Sequence, residues 1–164
     1  MSKAKIQTLI ETIELTQNLA VYYISLMKEV DPKKVFSSEG KDLNSLYWLV
    51  GHLAWAENML VLQGTQGKGA EFPWLDSFKL GEPHQIDENI SFGELKAGAK
   101  ELHKAALAHL NTLSDEDLLK PNTIGFGFGQ EPTNQVVLMH FIRHLGMHIG
   151  HLSWLCKLHG VKSV

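Results

Sequence analysis

What this 164-residue chain lacks narrows its reading first. It has one cysteine, which excludes an internal disulfide framework and any metal site built of several thiolates. It has no strong excess of either charge: fifteen Lys and Arg stand against eighteen Asp and Glu, a net charge of -3. That leaves no electrostatic footprint for nucleic acid or an anionic membrane. No apolar run approaches the ~20 residues of a spanning helix. The start, MSKAKIQTLIETIELTQNLA, places Glu11 and Glu14 inside its apolar run and has no small-residue cleavage site, so no leader is read there. The expectation is a cytoplasmic protein with no nucleic-acid or membrane partner. Its bulk is ordinary, at 44% hydrophobic and 20% charged. A chain of this length reads as one domain over 1–164 and can bury a core without staples. One residue type stands out. There are nine histidines, and five fall between His140 and His159.

Four long segments carry helical periodicity. The first covers about 2–30, with Ile6, Leu9, Ile13, Ala20, Ile24 and Met27 on one stripe and Tyr23 beside it; Asp31-Pro32 ends it. The second covers about 42–62, through Leu46, Trp48, Leu49, Trp55, Ala56, Met59 and Leu60, with Gly64 and Gly67 as terminators. An irregular stretch over 63–90 follows. Its Phe72, Trp74, Leu75 and Phe78 imply that it folds back onto the body. The third helix opens on the capping box Ser91-Phe92-Gly93-Glu94 and runs to about Leu113. Ser114-Asp115-Glu116-Asp117 signals a short turn. Gly125-Phe126-Gly127-Phe128-Gly129 marks a flexible connection, without the lysine of a phosphate loop. The fourth helix starts near Thr133 or Asn134 and reaches Leu158, with Gly160 beyond it. No strand pair is evident. The fold class is all-α, a four-helix bundle with long connections between helices.

The histidines are placed by turning each helix through 100° per residue. With His140 at zero, His151, His144 and His148 fall at about 20°, 40° and 80°. Val137, Leu155, Phe141 and Leu152 share that arc, so His148 lies within the apolar stripe and His144 at its edge. On the second helix Trp48, Leu49, Trp55, Ala56 and Met59 surround His52, which is central to an apolar face. Two helices thus point imidazoles into one core. A lone core histidine usually bonds a carbonyl. A pair at i and i+4 on an inward face suits chelation of one metal through two nitrogens. No acidic residue lies between 135 and 164 to serve that pair, and unsatisfied buried imidazoles are costly. His52, His144 and His148 therefore form a candidate metal site.

Three neutral imidazoles favour one divalent transition metal per chain, Zn or Ni first, with Fe, Mn or Cu as further fits, over Mg or Ca. Three protein ligands leave a position open, as in catalytic zinc sites. Water or a thiol held there would be acidified towards attack on an electrophile. Leu145 follows His144, so the HExxH glutamate of a metalloprotease is absent.

Two stretches, Trp48-Leu49-Val50-Gly51-His52-Leu53-Ala54-Trp55-Ala56-Glu57 and His140-Phe141-Ile142-Arg143-His144-Leu145-Gly146-Met147-His148-Ile149-Gly150-His151, resemble the DinB/YfiT-like family of metalloenzymes. The likeness covers nearly the whole chain. It implies that His52, His144 and His148 are metal ligands and that the chain forms a homodimer. Relatives include transferases and isomerases that use low-molecular-weight thiols, and others labelled hydrolases. The resemblance therefore implies a small-molecule substrate, with thiol transfer or hydrolysis as the reaction. Ile149 stands where the family usually has arginine, and His151 where it has glutamine. The alternative is a metal- or ligand-binding stress-related bundle protein without catalysis, and beyond it a bundle whose core histidines are simply satisfied.

His140 and His151 are candidates to orient a ligand or shuttle protons. Trp48, Trp55 and Met59 are candidate pocket wall. Cys156 reads as a small core residue. Glu57 falls about 140° from the apolar centre and is not assigned as a base. His84, His103, His109 and His159 carry no special claim.

Overall fold

A computed structural model describes residues 3–81 and 89–163; His84 lies outside them. The four helices are α1 (Ala4–Leu26), α2 (Leu46–Glu57), α3 (Phe92–Leu110) and α4 (Asn134–Leu158). Between α1 and α2 lies a hairpin that periodicity does not reveal: β1 (Ser37–Ser38) pairs antiparallel with β2 (Lys41–Asp42). Its strands are two residues long and exposed, so there is no alternation to read. The turn is held by Glu39 and Gly40, both at positive φ (51° and 76°), the twist that short hairpins favour.

Local chemistry sets the helix ends. The Ser45 hydroxyl accepts the Trp48 N–H and starts α2, and the Thr133 hydroxyl accepts the Val136 N–H and starts α4. Ser91 and Glu94 form the expected capping box, each side chain satisfying the other's backbone N–H. The sequence places several boundaries wrongly: α2 opens at Leu46 rather than near Asp42, which lies in β2, and α3 closes at Leu110 rather than Leu113. The α2 rod does not stop near Leu62; it continues as a π turn over Asn58–Gln63 and a last α turn over Gly64–Gln66. Gly64 is helical there (φ -60°), and Gly67, at φ 78°, is the terminator. The first helix ends at Leu26 rather than Val30, because Met27 already closes a tighter turn onto Ile24.

Packing follows the stripes. α1 lies chiefly on α4, while α2 packs on both α3 and α4. Ile6, Ile13, Leu49, Leu102, Phe141 and Leu145 are fully buried, each contributing about 1.5–3 kcal/mol of transfer free energy. α2 is buried on every side, with Trp55 alone half-exposed; such a helix is apolar all round and sits in the core. The stretch after α2 docks by Trp74, Leu75 and Phe78, all buried, the last two in a 3-10 turn over Leu75–Phe78. Two glycines make room for it. A Cβ on Gly51 would stand 2.4 Å from the Phe78 ring, and one on Gly98 would stand 2.7 Å from the Trp74 ring.

Candidate metal centre

His52 on α2 and His144 and His148 on α4, one turn apart, meet between the two helices. Each offers a ring nitrogen, and the three nitrogens lie within 4.8 Å of one another. His144 Nε2 stands 3.2 Å from His52 Nε2 and 3.2 Å from His148 Nε2. His52 and His148 are buried and His144 is half-buried.

The orientation of His52 is fixed from outside the pair of helices. Its Nδ1–H donates to the Phe78 carbonyl at 2.9 Å, so its Nε2 carries a lone pair towards His144. Trp48 stacks on the ring at 4.4 Å between centroids, and Trp55 covers it at 5.5 Å. The two indoles thus clasp His52, while Met59 is half-buried against the core. The Phe78 carbonyl takes the role a carboxylate often has beside a metal-binding imidazole. Sequence reasoning missed it. The only signal was Gly51 beside His52, whose missing Cβ lets the Phe78 ring approach.

The lone pair of His52 Nε2 and the two further ring nitrogens cannot all be satisfied among themselves. His144 Nε2 has two nitrogen neighbours and at most one proton, so one of its two N···N contacts is left without a conventional hydrogen bond. Protonation is disfavoured. Burial, followed by the charges of the neighbouring imidazoles, pushes His144 down to about 4 and His148 to about 3. Burial also lowers His52, against the raising effect of its bond to Phe78. The spacing suits a metal ion: two nitrogens each about 2.0 Å from a tetrahedral ion lie about 3.3 Å apart. His144 Nδ1 is buried with no partner among the described residues.

The flanking histidines differ. His151 Nδ1 lies 3.2 Å from His148 Nδ1. His151 also lines a cavity of about 490 Å³ with Asp42, Asn44, Trp154, Leu155 and Leu158. His140 faces the connection before α4: its ring stacks on Phe128 at 3.8 Å and its Nδ1 accepts from Arg143 at 2.7 Å. That connection is ordered locally. The Asn122 amide donates to the Phe126 and Thr133 carbonyls, and its oxygen accepts the Phe126 N–H.

The remaining histidines divide. His109 Nε2 pairs with the Thr65 hydroxyl at 2.7 Å, and His159 packs edge-on against Phe36. Cys156 is fully buried, and burial raises its thiol pKa, so it is a packing residue. His103 is the surprise. Its Nδ1–H donates to Glu57 at 2.7 Å, and Glu57 is 1% exposed. The rotation angle correctly puts Glu57 off the His52 face of α2, but that other face is buried too.

A sequence profile described as the DinB superfamily matches residues 14–152. No curated protein gives a significant match to the chain.

Proposed function

The chain belongs to the DinB superfamily, and from that premise we propose that it is a metal-dependent enzyme acting on a small molecule by thiol transfer or hydrolysis. The observation that carries this reading is the convergence of three imidazole nitrogens on one point, with their rings held neutral. His52, His144 and His148 would hold one divalent transition metal, Zn or Ni before Fe, Mn or Cu. Such an ion supplies Lewis acidity and acidifies a water or thiol it holds. The protein's own residues do the rest. Phe78 fixes the His52 tautomer, and Trp48 and Trp55 shield it from solvent. His151 touches His148 on one side and the 490 Å³ cavity on the other. Its contact with His148 supports a role in orienting that ligand, and its exposure to the cavity supports a role in giving or taking a proton there. The cavity's apolar wall of Trp154, Leu155 and Leu158, with Asp42 and Asn44 at the hairpin, suits a small amphipathic substrate such as a low-molecular-weight thiol.

The reading includes a homodimer in the cytoplasm. The exposed Met147, Trp154 and Leu158 give α4 an apolar outer face for pairing; no helix among the described residues is long and apolar enough to cross a membrane. Light scattering should give twice the chain mass. Elemental analysis of protein prepared without a nickel column should give about one metal per chain. The metal-loaded protein is then screened with small thiols plus electrophiles and with simple esters and amides. Turnover in either panel supports the enzyme. Stoichiometric metal with no turnover favours a binding protein, a reading consistent with the absence of any carboxylate bonded to the three imidazoles among the described residues. Absence of metal removes both.

A further inference from the structure

A second cavity, of about 400 Å³, opens on the opposite face of α2, between α1, α2 and α3. It is independent of the three-histidine centre. Glu57 and His103 lie on its wall, joined by their 2.7 Å hydrogen bond. The Glu57 side chain is 2% exposed and that of His103 is 20% exposed. Removing such a pair from water costs several kcal/mol per ion, and a hydrophobic pair would often serve stability as well or better. Its presence on a cavity wall needs a further reason. Gln17 belongs to the same wall and has a buried side-chain oxygen with no partner among the described residues.

The rim is cationic. Lys96 and Lys100 stand one turn apart on α3, both exposed, and both line the cavity. Like charges at this spacing repel. No carboxylate among the described residues pairs with either; Lys96 rests over the Phe92 ring, 4.9 Å from its centroid. Below the rim the wall is aliphatic, with Ile24, Val50 and Leu53 among its residues. Lys96, Lys100 and His103 follow one stripe along α3, about 10 Å from first to last at 1.5 Å per residue. The bond from Nδ1 to Glu57 leaves Nε2 as the remaining polar atom of His103. Burial alone would lower the His103 pKa, but the bond to Glu57 and the charges of Glu57 and Glu14 raise it, which favours Nε2 as a donor.

We propose that this cavity is a second ligand site, which takes a small amphipathic carboxylate with its aliphatic body on Ile24, Val50 and Leu53 and its carboxylate among Lys96, Lys100 and His103. Glu57 is the positioning residue that holds the His103 ring and neutralises it when the cavity is empty. An anion is selected over a cation because the rim lysines repel a cation before it can reach Glu57. The aliphatic wall selects against a small inorganic anion, which has nothing to place there.

The probe is octanoate, titrated by calorimetry into the full-length protein, with octanol as the uncharged control. Octanoate should bind saturably at one site per chain, and octanol at least about tenfold more weakly, as expected when charge-assisted bonds hold the head. The double variant Lys96→Ala/Lys100→Ala changes only exposed side chains and should fold; it should weaken octanoate about tenfold or more. His103→Gln keeps a donor for Glu57 and should weaken it less. His148→Ala should leave octanoate affinity unchanged, which separates this site from the three-histidine centre. No saturable binding, equal binding of octanol, wild-type affinity in the lysine variant, or loss of binding in His148→Ala would each overturn the proposal.

Discussion

Two histidines on either side of α2 have opposite surroundings. His52 gives its Nδ1–H to a neutral carbonyl, Phe78, and its remaining nitrogen meets two further imidazoles. His103 gives its Nδ1–H to a carboxylate, Glu57, five residues further along α2 from His52. Both are substantially buried. The carbonyl adds no charge, so burial governs and His52 is held in its neutral form; the carboxylate reverses the balance, and His103 is shifted towards the cation. A neutral imidazole can donate its lone pair to a metal, whereas a cationic one can only donate hydrogen bonds. The partner on Nδ1 therefore decides which chemistry each side of the helix supports.

The comparison breaks most completely at a ligand. His148→Ala should lower metal affinity on the order of 100-fold or more, beyond the loss typical of outer partners. It should leave the Glu57–His103 side intact, as read by metal content and by octanoate titration on the same sample. Retained stoichiometry would show that the ligand set is wrong. Gly51→Ala attacks the carbonyl partner instead. Its Cβ would meet the Phe78 ring at 2.4 Å, so the ring and the carbonyl behind it must shift. The expected cost is about 1–3 kcal/mol in chemical denaturation, with weaker metal binding than wild type. Unchanged stability and affinity would mean that Phe78 does not hold His52 in place.

A smaller effect is expected from His151→Gln. The metal should remain, with affinity or turnover reduced about tenfold, the low end for groups that orient a ligand. If turnover keeps its wild-type pH profile, His151 moves no proton. The subtlest test is pH. His103 has a raised pKa when folded, so its pairing energy is fully present below its ordinary value of 6.5 and is lost as pH rises through the folded value. The stability gap between wild type and His103→Gln should close on the alkaline side. His144 and His148 run the other way. Their folded values of about 4 and 3 lie below 6.5, so the unfolded chain takes up their protons first. The metal-free protein should lose stability as pH falls from 6.5 towards 3, and more steeply when it starts loaded with metal. Denaturation midpoints across pH check both signs; a metal-free protein equally stable across that acid range would contradict the burial of the pair.

The helical face of His144 and His148 was legible because α4 is a long helix with one apolar stripe. Its i, i+4 histidines could be placed by rotation alone, and its ends by Thr133 and Gly160. The capping box at Ser91 was equally readable, since its partners lie within four residues. The burial of Glu57 and its pairing with His103 escaped the sequence for a physical reason. A rotation angle says which way a side chain points, and it does not say what covers that direction; around α2, both α3 and α4 do. The hairpin at Ser37–Asp42 escaped because it buries nothing, and the π turn at Asn58–Gln63 because its apolar residues continue the α pattern across it.

The sequence by itself determined four helices, the inward direction of His52, His144 and His148, and the docking of an aromatic-rich stretch after α2. These follow from spacing within one element, which is local and obeys a fixed 3.6-residue period. Only the tertiary structure decided what each imidazole touches. Phe78 reaches His52 across 26 residues, and Glu57 reaches His103 across 46. Those bonds form between elements, where packing sets the distances. A few ångströms separate a carbonyl partner from a carboxylate, and so a neutral ligand from a cationic donor.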